Sequence, residues 1–294
     1  MTMTRSVLAA LLLAAVVPAQ AADASAPKLA EYDTLVADWT AAQKANADAM
    51  KALMATPEYK AAVEAKDNKK LNELRNTITR PDAKAFGTRA IELADQYKGD
   101  ASIRVLAYAA ANFAGNKDTA KAIAERVEKD HLKSAKLSDL LENAMGLHRG
   151  LGDEDGNKLL EAVIAGSPHA LPKAWAKYWQ AKVLTNQAST ALRQAQPKRD
   201  ATDEEKEKAK EGVAKAKQDM ALATEKADAL YAEAAKLAEG TEHSARIGAP
   251  IFEKQRLQVG MEAPDIVAED VDGVAFKLSD YRGKVVMIDY WGFW

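Results

Sequence analysis

Residues 259–294 read VGMEAPDIVAEDVDGVAFKLSDYRGKVVMIDYWGFW, and here the helical period that governs the rest of the chain disappears. Asp272-Gly273 is a turn pair, with Ile266 and Val267 before it and Val274, Phe276 and Leu278 alternating after it. Alternation about an Asp-Gly step is the pattern of a β-hairpin. Arg282-Gly283 marks a second turn. From 285 to 290 the residues are apolar and β-prone apart from Asp289, and such runs form central strands covered on both faces. The stretch predicts a hairpin followed by a buried strand.

Ahead of it, from about Pro27 to Gln258, the pattern is helical almost throughout. Leu29, Tyr32, Leu35, Val36 and Trp39 fall on one face. Helical segments follow near 57–78, 82–97, 101–114, 117–130 and 136–148, separated by turns containing Gly, Asp, Pro or Ser. Short helices joined by short turns predict stacked helical pairs of tetratricopeptide-like type, although no internal period emerges. A longer pairing is clearer. Ala174, Ala181, Ala188 and Ala195 keep a seven-residue step, with Tyr178, Leu184 and Ala191 between them. Val213, Met220, Ala227 and Ala234 do the same, each followed three residues later by Ala216, Ala223, Leu230 and Leu237. Two such seams predict an antiparallel helical hairpin over 173–239. Gln196 to Asp200 supplies its turn, and Thr202 with Glu205 forms a capping-box signature opening the second arm. The mixed charges from Lys198 to Lys217 read as the solvated face of that hairpin.

Composition narrows the function classes. The 294 residues carry 41 Lys and Arg against 43 Asp and Glu, a formal net charge of −2, which offers no basic excess for nucleic acid. A hydrophobic fraction of 48% is enough for a substantial core. The four histidines, His131, His148, His169 and His243, lack metal-ligand spacing. His169, in SPHALP, reads as a turn residue, with Pro172 opening the next helix. Gly150-Leu151-Gly152 lacks the strand and the further glycine or lysine of a phosphate loop. No metal or other cofactor is expected.

The first residues read as an export signal: Arg5, an apolar stretch from Val7 to Val17 too short to span a bilayer, and small residues ending at Ala21. Cleavage after Ala21 leaves a soluble periplasmic or cell-envelope protein, not membrane-spanning. There is no cysteine, hence no disulfide, no thiol nucleophile and no lipid attached at a processed cysteine.

The segment 259–294 resembles the opening of a thioredoxin-like domain of the TlpA/redoxin type, exported thiol–disulfide oxidoreductases. Val259-Gly260-Met261-Glu262-Ala263-Pro264-Asp265 matches the family's V-G-x-x-A-P-x opening. Asp272 through Lys284 matches its D-G-x-x-x-x-L-S-D-x-R-G-K stretch, and Asp289-Tyr290-Trp291-Gly292-Phe293-Trp294 matches the D-[FY]-W-x-x-W that leads into C-x-x-C. The resemblance implies protein thiols and disulfides as partners. It places Asp289 at the buried carboxylate that assists proton transfer at the second cysteine, and Tyr290, Trp291 and Trp294 beside the site. Asp289 as a strand residue paired with a lysine, and the tryptophans as core or surface aromatics, are the plainer alternatives.

The nucleophilic cysteine would follow Trp294. Three expectations cover its absence: a fragment or frameshift, a true stop in a decaying gene, or a UGA codon read as selenocysteine. The predicted organisation is a signal peptide at 1–21, a mainly α domain at 22–258, and a truncated thioredoxin-like α/β domain at 259–294. The chain alone would then be catalytically inactive. The alternative is a non-catalytic helical binding or scaffold protein of the cell envelope with a vestigial redoxin tail, its helical body meeting a protein partner.

Overall fold

The structure, a computed structural model, describes residues 29–289. The predicted signal peptide at 1–21 and the site residues Tyr290, Trp291 and Trp294 lie outside the described residues. The described chain is mainly helical, with twelve α-helices and one two-stranded sheet among the described residues. It forms two compact units, with the boundary between Ile251 and Phe252.

The larger unit starts with α1 (Ala30–Ala55), whose Leu35 and Trp39 are buried as their four-residue spacing requires. The segment expected as one helix over 57–78 is two, α2 (Pro57–Glu64) and α3 (Asn68–Arg75). Lys66 adopts a left-handed conformation (φ 53°) between them, and the Asp67 carboxylate accepts from Lys70 N at 3.0 Å to start the second helix. Side chains with a Cβ rarely enter that conformation, and an aspartate cap favours restarting a helix over continuing one.

The core contains α4 (Ala83–Gln96), α5 (Asp100–Asn112), α6 (Lys117–Arg126), α7 (Leu137–Leu141), α8 (Ala144–Leu151) and α9 (Asp153–Gly166), joined by buried residues of α1 and of the helices that follow. These helices range from 5 to 14 residues, and consecutive ones pack on one another, α4 on α5 and α8 on α9. Close approach of α8 to α5 depends on glycine. A Cβ on Gly150 would lie 1.9 Å from the carbonyl oxygen of Ala114, just past α5, whereas one on Gly146 would make only an ordinary contact, 3.5 Å from that of Ala110. Between α6 and α7 the backbone makes a π-helical turn, Val127–His131, where the sequence pattern predicts continuous α-helix.

The two longest helices are α10 (Ala170–Ala195) and α11 (Asp203–Leu237). They pair as predicted. Lys177 Nζ meets Glu233 at 2.6 Å, the rings of Tyr178 and Tyr231 lie 5.5 Å apart, and Ser189 Oγ reaches Met220 Sδ at 3.7 Å. Residue numbers rise along one arm as they fall along the other, so the pair is antiparallel. The capping box is present: Glu205 N donates to Thr202 Oγ1 at 3.3 Å, and Thr202 N donates to Glu205 Oε2 at 2.7 Å. His169 is the residue before α10, its Nε2 donating to the Lys133 carbonyl at 3.0 Å, a turn role as expected. Finally α12 (Ser244–Arg256) buries Ile247. No described helix is long and apolar enough to cross a membrane.

The second unit holds the hairpin. Strand β1 (Val267–Glu269) pairs antiparallel with β2 (Ala275–Lys277), with Ala268 opposite Phe276. Residues 285–289, expected to begin a central strand, pair with no other strand among the described residues and are exposed. Val285 is 103% and Met287 92% exposed. A central strand is made by neighbours on both edges, and among the described residues β1 and β2 pair with no further strand.

The glycine contacts separate two opposite effects of one added methyl. Gly150→Ala is expected to lower stability by roughly 1–3 kcal/mol, because a backbone oxygen cannot move aside. Gly212→Ala, in α11 with open space around it, is expected to raise stability by up to about 1 kcal/mol through helix propensity. Urea unfolding followed by circular dichroism measures both.

Candidate functional site

The two halves of the motif in 259–294 meet in space around one carboxylate. Asp265 follows Pro264, which holds the chain extended at the entry to the hairpin. Its Oδ1 accepts from Ser279 N at 2.8 Å and from Ile266 N at 3.1 Å, while its Oδ2 accepts from Ser279 Oγ at 2.8 Å. Ser279 lies in a 3-10 turn, Leu278–Tyr281. The Ser279 donors hold the Asp265 carboxyl below the usual carboxylate range, with lesser help from Ile266 N and Lys277. Beside it, Arg282 Nη2 bonds Glu262 Oε1 at 2.7 Å, and Leu278 N donates to Ile266 O at 2.9 Å. Glu262, Ala263, Asp265, Leu278, Ser279 and Arg282 line a shallow notch.

The Asp-Gly turn is closed by a second carboxylate. Asp270 Oδ1 accepts from the backbone N of Asp272 and of Val274, both at 2.9 Å. Gly273 takes φ 75°, a left-handed conformation available to glycine without strain. The 3-10 turn is stabilised in the same way, Asp280 Oδ2 accepting from Lys277 N at 3.0 Å. Arg282-Gly283 then turns the chain, with Gly283 at φ 82°.

Of the predicted site residues, only Asp289 falls within the described residues. Its carboxylate is exposed, where the resemblance implies a buried position, because no described strand lies over residues 285–289. The residues that organise the motif, Asp265, Ser279, Glu262 and Arg282, were not singled out by sequence reasoning. The signal for them was the pairing of A-P-D with L-S-D, two short polar steps at the ends of an alternating hairpin. Among the described residues no group of three or more His, Asp or Glu side chains could hold a metal ion.

A stretch of 42 residues, 14% of this chain, is similar to proteins described as thiol-disulfide oxidoreductase ResA. Identity is 48% to that of Geobacillus thermodenitrificans and 50% to that of Geobacillus kaustophilus, each covering 24% of the relative. Over 41 residues it is 42% to the protein of Bacillus subtilis, covering 23% of that relative. The chain thus spans about a quarter of the length of the curated relatives it matches. No family model and no solved structure matches the chain.

The Asp265 carboxyl is titratable and its sign is defined. Its folded pKa lies below the unfolded value, so the order it gives the hairpin is present above the unfolded aspartate pKa of about 3.9. That order is lost as pH falls through the lower folded value. The Ser279 amide resonance should therefore shift on acidification with a midpoint below about 3.9. Asp265→Asn should abolish that transition and speed hydrogen exchange at Leu278 and Ser279.

Proposed function

We propose that residues 259–294 are the leading part of a thioredoxin-like thiol–disulfide oxidoreductase domain of the ResA/TlpA type, carried on an exported helical body. The observation that carries this reading is local identity of about half to ResA proteins, which we assign to the segment bearing the V-G-x-x-A-P and L-S-D-x-R-G-K motifs. The hydrogen bonds between Asp265 and Ser279 support it by giving both motifs one structural job.

The chemistry of this reading is disulfide exchange. A thiolate attacks one sulfur of a substrate protein's disulfide, forming a mixed disulfide and releasing the other sulfur as thiolate. A second thiol, deprotonated, then attacks the mixed disulfide, leaving the substrate reduced and the enzyme oxidised. Asp289 takes the proton of that second group in this scheme, and Tyr290, Trp291 and Trp294 flank the site. Residues 1–294 contain no cysteine, so the reactive sulfur or selenium has to come from sequence outside them. Selenocysteine at a UGA codon is one source. The substrates are protein thiols and disulfides outside the cytoplasm, reached after removal of residues 1–21, and the helical body positions the redox domain or its partner.

A second reading rests on the absence of cysteine and on the body's own extensive core: a non-catalytic helical binding or scaffold protein of the cell envelope. Reading the gene beyond the Trp294 codon and assaying the product of the whole locus separates the two. Residues 1–294 alone should reduce insulin disulfides at the uncatalysed rate. The whole product should reduce them measurably, and replacing the first cysteine or selenocysteine after Trp294 by serine should return the rate to background. A locus encoding no thiol or selenol after Trp294, with no reductase activity, overturns the enzymatic reading.

A further inference from the structure

We propose that His131 is an acid-operated latch holding the π-helical turn Val127–His131 against the junction of α4 and α5. The turn is anchored by two buried residues, Val127 and His131, and the ring of His131 packs beside Ser102 in the first turn of α5. Ser102 Oγ donates its proton to the carbonyl of Ala94, in the last turn of α4, at 2.9 Å. A hydroxyl has one proton, so toward His131 Nε2, 3.3 Å away, Ser102 can only accept. The neutral imidazole must therefore carry its proton on Nε2. One chain of hydrogen bonds then runs from the π-turn through α5 to α4.

The surroundings disfavour a charged ring. Burial lowers the pKa of His131, and the carboxylates of Asp130 and Asp100, the charged groups acting on it, oppose that only in part. Asp100 is also engaged, accepting from Ser134 Oγ at 3.0 Å. Arg126 bridges to Asp95 at 2.6 Å, a pair that keeps its charges across the range in which histidine titrates.

Protonation places a cation in a site built for a neutral ring, and exposure of that ring to water relieves the cost. The π-turn is the element able to yield, since its wide winding can revert toward α-helical geometry. Just beyond it, the Lys133 carbonyl accepts from His169 at the start of α10, so release of residues 132–134 also loosens the start of that helix. The folded pKa lies below the unfolded value, so latch stability is present above about pH 6.5 and is lost as pH falls through the folded pKa.

Hydrogen exchange on the whole chain tests this, with rates corrected for the intrinsic pH dependence of exchange. Between about pH 7.5 and pH 5, exchange of residues 127–134 should rise about tenfold while α1 stays constant. His131→Gln, which can donate to Ser102 but cannot gain a proton, should remove the response. An unchanged acid response in His131→Gln overturns the proposal. So does a ring titration of wild-type His131 with its midpoint at or above about 6.5, a measurement that stands even if the variant fails to fold.

Discussion

The helical body depends on burying most of the first half of α10. Pro172, Ala174, Trp175, Ala176, Tyr178, Trp179, Ala181 and Val183 are all buried, while Lys173, Lys177, Gln180 and Lys182 keep one side toward water, so a wide apolar face packs into the core. Trp175 stacks on Trp179 and meets the rings of Tyr178 and His243 edge-on, while the Arg246 guanidinium covers it at 5.0 Å. Arg246 is fixed in turn by Glu142. Trp179 donates its indole N–H to the Leu141 carbonyl at 2.6 Å, tying α10 to α7. The indole N–H of Trp175 has no hydrogen-bond acceptor among the described residues, at a cost on the order of 1–3 kcal/mol. Burial of so large a ring system offsets that cost.

The hairpin unit is organised by different forces. Val267, Val271 and Val274 are exposed, so apolar burial does little to hold β1 against β2. Three aspartates do the work instead, Asp265, Asp270 and Asp280, each accepting from backbone N–H groups at a turn or strand entry. Two strands are marginal without a packed face. Local carboxylate bonding therefore specifies the shape of this unit, and its exposed valines add little to its stability.

The parts of this architecture legible in the sequence were those governed by period or by a named turn. The alanine heptads, the Thr202–Glu205 box and the Asp272-Gly273 turn each have a local cause, and each is present where the pattern placed it. The break at Lys66 was hidden because a left-handed lysine has no sequence signature. The π-turn at Val127–His131 was hidden because it is held by Ser102 and Ala94, residues remote in the chain. The carboxylate at Asp265 was partly visible as a polar residue after proline, but its partner Ser279 is set by hairpin register, which spacing alone leaves open. Asp289 illustrates the reverse case: family position names a role, while the neighbours that would bury such a carboxylate are not among the described residues.

The arm formed by α10 and α11 has one further property. Its register is set near the base, by Tyr178 against Tyr231 and Lys177 against Glu233. Toward the tip the seam consists mainly of small residues repeated every seven positions, and such a seam looks alike after each step of seven. Continued at the same pitch, Ala195 stands beside Ala214, so residues 203–213 run on past α10 for roughly 16 Å, flanked by the connection 196–202. Insertion or loss of matched heptads in both helices would lengthen or shorten this projection without disturbing its root. The arm is in that sense a spacer of adjustable reach.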